Sequence, residues 1–501
     1  MNENESAFLA GVNLTRPIDL ILINSPLKNY DLSPRYNDFT LPVLGLGYIA
    51  TYAQQARFNV AVLDAEASGL GISRIASIVN HHAPRWVGLN LLAPTYRYSL
   101  EILQALDAPI YIMLGGHQAK AMPRQILSDR SIPRIDALIL GEGEYRVTAL
   151  LENIHRRSEL PHVWWREGAG IYEGKKRDND TTLWLSPDIN TLPFVDRIYL
   201  TQDPFLSASG AKEANLVGSR GCPYNCSFCG AAISANPDIS IRTRNPLNIV
   251  EEIEYLASTY GVTAFRFVDD LFLASPPFMK KCLRLFKERG IGKRFVWDAT
   301  GRINILSRAP DSLIDLMQEA GCREVALGIE SGSERMLMYI EKRITRDMIR
   351  SSVQRLTSRG INVKGYFILG FPTETLEDIE ATERIVHELW EIADQQPGSF
   401  RCSVFEFRPY PGTPEWDRLM HTGKYTERQL LQYESIDLTE NGEVGAMLDR
   451  DEFNFSVNLQ FGDVPIHVVR ETLTRIMVEQ KQRLRQRLPD HVQRLHPGAR
   501  L

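Results

Sequence analysis

Two successive series of short apolar runs, each run followed by an amphipathic helical stretch, constrain this chain more than any other feature. The first reads Ile18 to Ser25, Asn59 to Asp64, Trp86 to Leu92, Ile110 to Gly116 and Ala137 to Glu144. Helix-like segments such as Leu44 to Gln55, Ile72 to His81 and Tyr96 to Leu106 separate these runs. Runs that are apolar on both faces belong in a sheet covered on both sides, so this part is expected to be a doubly wound parallel sheet of the α/β class. The second series reads Ala214 to Gly218, Ala264 to Val268, Phe295 to Gly301, Glu324 to Glu330, Val363 to Gly370 and Phe400 to Phe407. Its intervening helices are expected at Leu247 to Ser258, Pro277 to Arg289, Asp311 to Ala320, Arg346 to Ser358 and Thr375 to Ala393. A partial (β/α)6 barrel is one form that six such units can take, and in barrels chemistry sits at the carboxyl ends of the strands.

At 501 residues the chain is too long for one ordinary core. The expected division is 1–155 for the first sheet, 156–210 for a linker, 211–420 for the barrel and 421–501 for a small, mainly helical C-terminal region. The linker is weakly patterned, and its His162, Trp164 and Trp165 are expected to pack rather than react. The helix expected from about Ile466 to Leu488 is rich in Arg and Gln and reads as a solvated helix against the barrel. With 44% apolar and 24% charged residues and a net charge of −5, the composition is that of a water-soluble protein, with no nucleic-acid footprint. No run reaches the length of a membrane span, and the first residues lack the pattern of a signal peptide. The expected location is the cytoplasm, where thiols stay reduced.

Half of the six cysteines fall in one stretch, VGSRGCPYNCSFCG, where Cys222, Cys226 and Cys229 are spaced C-x3-C-x2-C directly after the first barrel strand. Three thiolates so placed can hold three irons of a [4Fe–4S] cube and leave the fourth iron open to a chelating molecule. A zinc knuckle wants a fourth ligand, and the next cysteine is Cys282. Cys282, Cys322 and Cys402 are dispersed and expected in cores or helices.

This motif, with Phe228 before its last cysteine, resembles that of the radical S-adenosylmethionine (SAM) enzymes. The resemblance implies that Cys222, Cys226 and Cys229 ligate the cluster, that the SAM amino and carboxylate groups chelate the open iron, and that reductive cleavage yields methionine and a 5′-deoxyadenosyl radical. It also implies the partial (β/α)6 barrel of that family for the second series, that Phe228 packs near cluster and adenine, and that Asp269 and Asp270 meet the SAM ammonium. Arg302 would face the carboxylate, Glu330 the ribose or ammonium, and Ile368 to Gly370 the adenine. Pro409 to Pro414 (PYPGTP) also fits that family.

The strand ends of the first series resemble a cobalamin-binding domain, whose usual signature is Asp-x-His-x-x-Gly, Ser-x-Leu and Gly-Gly. The corresponding stations here are Asp64-x-Glu66-x-x-Gly69, Asn90-x-Leu92 and Gly115-Gly116, with Gly141, Glu142 and Gly143 in a further loop. Two stations depart from the signature: Glu66 stands where it has His, and Asn90 where it has Ser. Together the two resemblances imply a cobalamin-dependent radical SAM enzyme. Its expected reaction moves a methyl group from SAM, through methylcobalamin, to a carbon of a small-molecule or natural-product intermediate. Cyclisation or ring rearrangement without methyl transfer is the alternative. A corrinoid- or iron–sulfur-based sensor would have no use for the SAM-facing positions, and a methylthiotransferase would need cysteines for a second cluster in the N-terminal half. The expected partners are a small-molecule substrate and an external one-electron reductant such as flavodoxin or ferredoxin, with no nucleic acid and no membrane.

Overall fold

The structure, a computed structural model, describes residues 5–32, 35, 42–107, 109–175, 188–206, 210–232, 242–435 and 455–487. It divides into two compact units. The polar stretch at 173–182 and much of the C-terminal polar region lie partly outside the described residues.

In the first unit the strands are β1 (Leu20–Asn24), β2 (Val60–Asp64), β3 (Trp86–Asn90), β4 (Tyr111–Gly115) and β5 (Ala137–Ile139). Two further strands, β6 (Val163–Glu167) and β7 (Gly170–Glu173), complete the sheet. The order is β2-β1-β3-β4-β5-β6-β7. The first five are parallel, in register Asn24 with Asp64 and Asn90 with Gly115. β1 and β2 are buried almost throughout, as their unbroken apolar sequences require. Helices α1 (Leu44–Gln55), α2 (Ile72–His82) and α3 (Tyr96–Gln104) fall where the periodicity places them, and α4 (Glu144–Glu152) follows β5.

The linker expected over 156–210 is corrected here. Its first part forms β6 and β7, which pair antiparallel with the sheet edge. Trp165 is buried there beneath the Arg157 guanidinium, 4.7 Å from its ring centre. A short antiparallel pair carries no helix between its strands, so its only signal was a brief alternation among polar residues. Residues 410–423, which include the helix Pro414–His421, group with the first unit, whereas the expected division ran 211–420 as one stretch.

The second unit holds β8 (Phe205–Leu206), β9 (Lys212–Leu216), β10 (Ala264–Phe267), β11 (Val296–Gly301), β12 (Cys322–Glu330), β13 (Asn362–Leu369) and β14 (Phe400–Glu406). Their order is β14-β13-β12-β11-β10-β9-β8, so the six expected strands run consecutively and in parallel, with β8 added antiparallel at one edge. The crossover helices are α5 (Pro246–Tyr260), α6 (Pro276–Glu288), α7 (Asp311–Glu319), α8 (Arg346–Thr357) and α9 (Leu376–Asp394). The caps are written locally. Asn245 accepts from the Leu247 amide with Pro246 in the first turn of α5, and Thr375 with Asp378 forms a capping box on α9. A last helix, α10 (Ile466–Arg487), follows.

Alternation sorts the barrel strands. Val325, Leu327 and Ile329 of β12, and Val363, Phe367 and Leu369 of β13, join the helix-facing core. The residues between them face the lumen, and the register shift at the start of β12, which leaves Arg323 without a partner on β11, breaks the alternation so that Arg323 joins them. There Arg323 bridges Asp298 (2.5 Å) and Glu213 (3.0 Å), and Arg401 grips Glu324 through two bonds of 2.9 and 2.7 Å. These pairs satisfy charge at the amino-end layers of the lumen, which leaves the opposite end for chemistry.

Candidate active site

The loop after β9 carries the three cysteines, and all three are free thiols. Cys226 is buried, while Cys222 and Cys229 are half-buried. The Cys229 amide donates to the Cys226 carbonyl (3.1 Å) and the Ala232 amide to the Cys229 carbonyl (3.0 Å), so two successive tight turns shape the loop. Burial pushes the Cys222 thiol up from its ordinary value and the Cys229 thiol up to about 12. Such thiols stay protonated until a metal or cation draws the proton off.

Arg302, directly after β11, sets a cation against this loop. Its Nη1 donates to Cys226 Sγ at 3.4 Å and its Nη2 to the Lys342 carbonyl at 2.6 Å, and the guanidinium lies 3.6 Å from the Tyr224 ring centre. Lys342 is a second buried cation, and its Nζ lies 2.5 Å from Glu330 Oε1. Glu330 ends β12 with φ of 69°, at a point where the strand register shifts. Phe228, inside the motif, meets Phe371 edge-on at 5.5 Å. Phe371 in turn lies 4.9 Å from Phe407.

The structure thus brings Cys222, Cys226, Cys229, Phe228, Arg302 and Glu330 around one loop. Asp270 is exposed at the same end of the barrel and acts electrostatically on Cys222. Ile368, on the lumen face of β13, and Gly370, just after it with φ of 90°, are half-buried.

Asp269 departs from expectation. Its Oδ2 accepts from the Gly218 amide (3.0 Å) and its Oδ1 from the Ser219 hydroxyl (2.6 Å). Both oxygens therefore hold the start of the cysteine loop rather than standing free for the SAM ammonium. Burial nonetheless pushes its carboxyl up to about 6, because those bonds only partly offset desolvation.

Sequence reasoning missed Lys342 and Glu374. Lys342 sits in Glu341-Lys342-Arg343, a charged run indistinguishable from a solvated turn. Glu374 is buried, and its Oε2 accepts from the Gly370 and Phe371 amides. The proline-containing Gly370 to Thr375 turn was the available signal for Glu374.

In the first unit the named residues collect at the carboxyl ends of the strands. Asn24 Nδ2 donates to Asp64 Oδ1 at 2.8 Å, and the Ala67 amide donates to the same oxygen at 3.0 Å. Desolvation raises the Asp64 carboxyl above its ordinary value. Gly116, with φ of 94°, lies so close to Asn90 that a Cβ there would stand 2.3 Å from Asn90 Oδ1. Asn90, Leu92, Gly115, Gly141, Glu142 and Gly143 are half-buried. A Cβ on Gly115 would have nothing nearer than the Ile139 carbonyl at 3.7 Å, so backbone there is open to close approach.

Two positions serve the protein itself. Gly143 makes room for Ile49 of α1, where a Cβ would stand 2.7 Å from Cδ1. Glu66 accepts from the Leu27 amide and the Tyr30 hydroxyl, each at 2.8 Å, with one oxygen apiece. Gly69, with φ of 60°, turns the chain just beyond it.

Three thiols with no carboxylate or imidazole between them, flanked by buried cations, suit an anionic iron–sulfur cluster. Among the described residues, no three His, Cys, Asp or Glu side chains converge as the ligands of a single metal ion do.

Residues 216–386 match the Radical SAM superfamily, and residues 38–151 match the B12 binding domain. The chain is a radical SAM enzyme that carries a B12 binding domain. Its cofactor set is a [4Fe–4S] cluster, SAM and cobalamin. It is 28% identical over 401 residues to an uncharacterized methyltransferase of Pyrococcus horikoshii, covering 79% of this chain and 83% of that one. It is 24% identical over 396 residues to an anaerobic magnesium-protoporphyrin IX monomethyl ester cyclase of Rubrivivax gelatinosus, covering 74% and 68%. Among solved structures, the radical SAM methyltransferase TsrM from Kitasatospora setae, with cobalamin and a [4Fe–4S] cluster bound, superposes with a TM-score of 0.61. That match has 19% identity, covers 85% of this chain and 78% of that one, and shows a shared fold.

Proposed function

We propose that this protein is a cobalamin-dependent radical SAM methyltransferase acting on a carbon of a small-molecule or natural-product intermediate. The observation that carries the reading is the cysteine loop: three free thiols set against Arg302 and the Glu330–Lys342 pair, in a chain that also holds a B12 binding domain. When bound, the cluster supplies the electron that cleaves SAM, and cobalamin carries the methyl group.

The protein's part is to hold and orient. Cys222, Cys226 and Cys229 ligate the cluster. Arg302, already beside Cys226, receives the SAM carboxylate. Asp270, exposed where Asp269 is not, is the carboxylate for the SAM ammonium. Glu330 keeps its second oxygen for SAM, and Ile368 and Gly370 flank the adenine. In the first unit Asp64, Gly69, Asn90, Leu92, Gly115, Gly116, Gly141 and Glu142 form the rim for cobalamin, with Glu66 and Gly143 shaping it from behind. Among the described residues no helix is long and apolar enough to cross a membrane. We assign the protein to the cytoplasm, since cluster thiols must stay reduced. The electron comes from an external one-electron carrier, and flavodoxin or ferredoxin suits the task.

The cyclase relative supports a second reading, ring closure or rearrangement without methyl transfer. Product mass separates the two. A methyltransferase adds one CH2 and, on an sp3 carbon, releases S-adenosylhomocysteine and 5′-deoxyadenosine in step with product. Turnover with no mass gain and no S-adenosylhomocysteine would establish the second reading.

A further inference from the structure

We propose that Lys342 makes the cluster easier to reduce, by placing a buried positive charge against the Cys226–Cys229 segment. The inference rests on the cluster reading above.

The backbone of Lys342 is held in place at a cost. Glu341 and Arg343, on either side of it, both have φ of 56°, in the left-handed region that non-glycine residues avoid. Such a residue persists only where its surroundings over-determine it. The surroundings here are the site. The Ser227 amide, inside the cysteine motif, donates to the Ile340 carbonyl at 3.1 Å. Arg302, which also donates to Cys226 Sγ, donates to the Lys342 carbonyl at 2.6 Å. The Lys342 amide donates to the Leu337 carbonyl at 3.0 Å. The strained turn is therefore bonded directly to the loop that carries the cysteines.

The side chain is equally fixed. It is only 8% exposed, and its Nζ lies 2.5 Å from Glu330 Oε1, itself on a left-handed residue. Gly328 clears the space, since a Cβ there would stand 2.6 Å from Nζ and 2.2 Å from Oε1. Nζ also lies 6.0 Å from the ring centre of Phe228, the residue before Cys229. Of the two charged groups of the Lys342–Glu330 pair, the ammonium is thus the one set against the ring inside the cysteine motif.

The consequence follows from charge. A cluster held by three thiolates is anionic, and the electron it accepts adds a further negative charge. Net charge and nearby hydrogen bonds set cluster potentials. A cation out of water is hardly screened, so its attraction for the added electron survives. Glu330 opposes it, and removing either partner has a signed effect.

The test is a redox titration of the reconstituted full-length protein with dithionite, in the absence of SAM, read by electron paramagnetic resonance of the reduced cluster. Lys342→Gln is expected to lower the midpoint potential and Glu330→Gln to raise it. Lys342→Arg is expected to stay near the parent protein, and the double variant Glu330→Gln with Lys342→Gln to fall between the single ones. A Lys342→Gln protein with full iron content and an unchanged midpoint overturns the proposal. Shifts of the same sign in both single variants also overturn it, since they report loosening of the site rather than charge. If Lys342→Gln assembles no cluster, Glu330→Gln decides alone: an unchanged or lowered midpoint sinks the idea. A parent protein with no reducible cluster overturns the cluster reading and this proposal together.

Discussion

Tyr30 donates its phenolic hydroxyl to Glu66 Oε1 at 2.8 Å, while the Leu27 amide takes Oε2 at the same distance. Glu66 occupies the station where the usual cobalamin signature has His, and the structure gives it different work. It staples the chain after β1 onto the turn after β2. With both oxygens engaged and little exposure, it is a poor ligand for cobalt, which favours neutral imidazole. Burial first, and then this carboxylate, hold the Tyr30 hydroxyl above its ordinary value.

The first prediction follows. Cob(II)alamin bound to the protein should show no nitrogen superhyperfine splitting in its electron paramagnetic resonance spectrum, with or without Glu66→Ala. That variant should instead destabilise the fold by about 2–3 kcal/mol, because it strands two donors. A urea unfolding midpoint measures this loss. Nitrogen splitting that vanished in His117→Ala would show the idea to be wrong, since His117 follows the Gly115-Gly116 loop.

A second prediction separates the cysteines by their surroundings. Cys222→Ala, Cys226→Ala and Cys229→Ala should each lose 5′-deoxyadenosine formation while keeping the barrel, whose core does not use them. Cys282, Cys322 and Cys402 are buried among apolar side chains in that core. Alanine at any of these three should cost about 1 kcal/mol of packing and leave SAM cleavage intact. The readout is 5′-deoxyadenosine per protein, with iron content as control.

The third prediction concerns Asp269, which ties Gly218 and Ser219 ahead of the cysteines. Asp269→Ala removes both bonds and should lower stability by about 2–3 kcal/mol and reduce the iron retained after reconstitution. Asp269→Asn should keep both, since its amide oxygen accepts from Gly218 and its NH2 donates to Ser219. Equal iron loss in the two variants would contradict this loop-holding role and return Asp269 to direct contact with SAM.

Much of this was legible in the sequence, for identifiable reasons. A buried parallel strand such as Val60–Asp64 leaves an unbroken apolar run, and α1 appears at the bounds its periodicity implies. The cysteine spacing survives translation to structure because all three residues lie in one loop. Pairings made through space were not legible. Nothing local says that the Asp269 carboxylate turns back onto Gly218, 51 residues earlier, or that Lys342 reaches Glu330 across 12 residues. β6 and β7 escaped notice because a half-exposed hairpin of mixed polarity lacks the contrast on which pattern reading depends.

The last prediction concerns pH and the turn after β13. Glu374 is buried, its Oε2 accepts from the Gly370 and Phe371 amides, and its Oε1 has no hydrogen-bond partner among the described residues. Burial dominates those two bonds and raises its carboxyl from 4.5 to about 8. In the folded protein it therefore keeps its proton at neutral pH, where the unfolded chain releases it. The stability this proton contributes is fully present below pH 4.5 and is lost as pH rises through about 8. Glu374→Gln keeps the acceptor for both amides and places a neutral amide in the same space, so it removes this pH dependence. Unfolding free energies of the parent and Glu374→Gln proteins, from urea titrations, should therefore nearly coincide near pH 4.5 and draw apart as pH rises, by a few kcal/mol at pH 9, with the variant the more stable. Because Phe371 packs against Phe228, the parent protein should also lose SAM affinity as pH rises through about 8, and the variant should lose less. Parallel stability curves for the two proteins from pH 6 to 9 would show that Glu374 is ionised throughout.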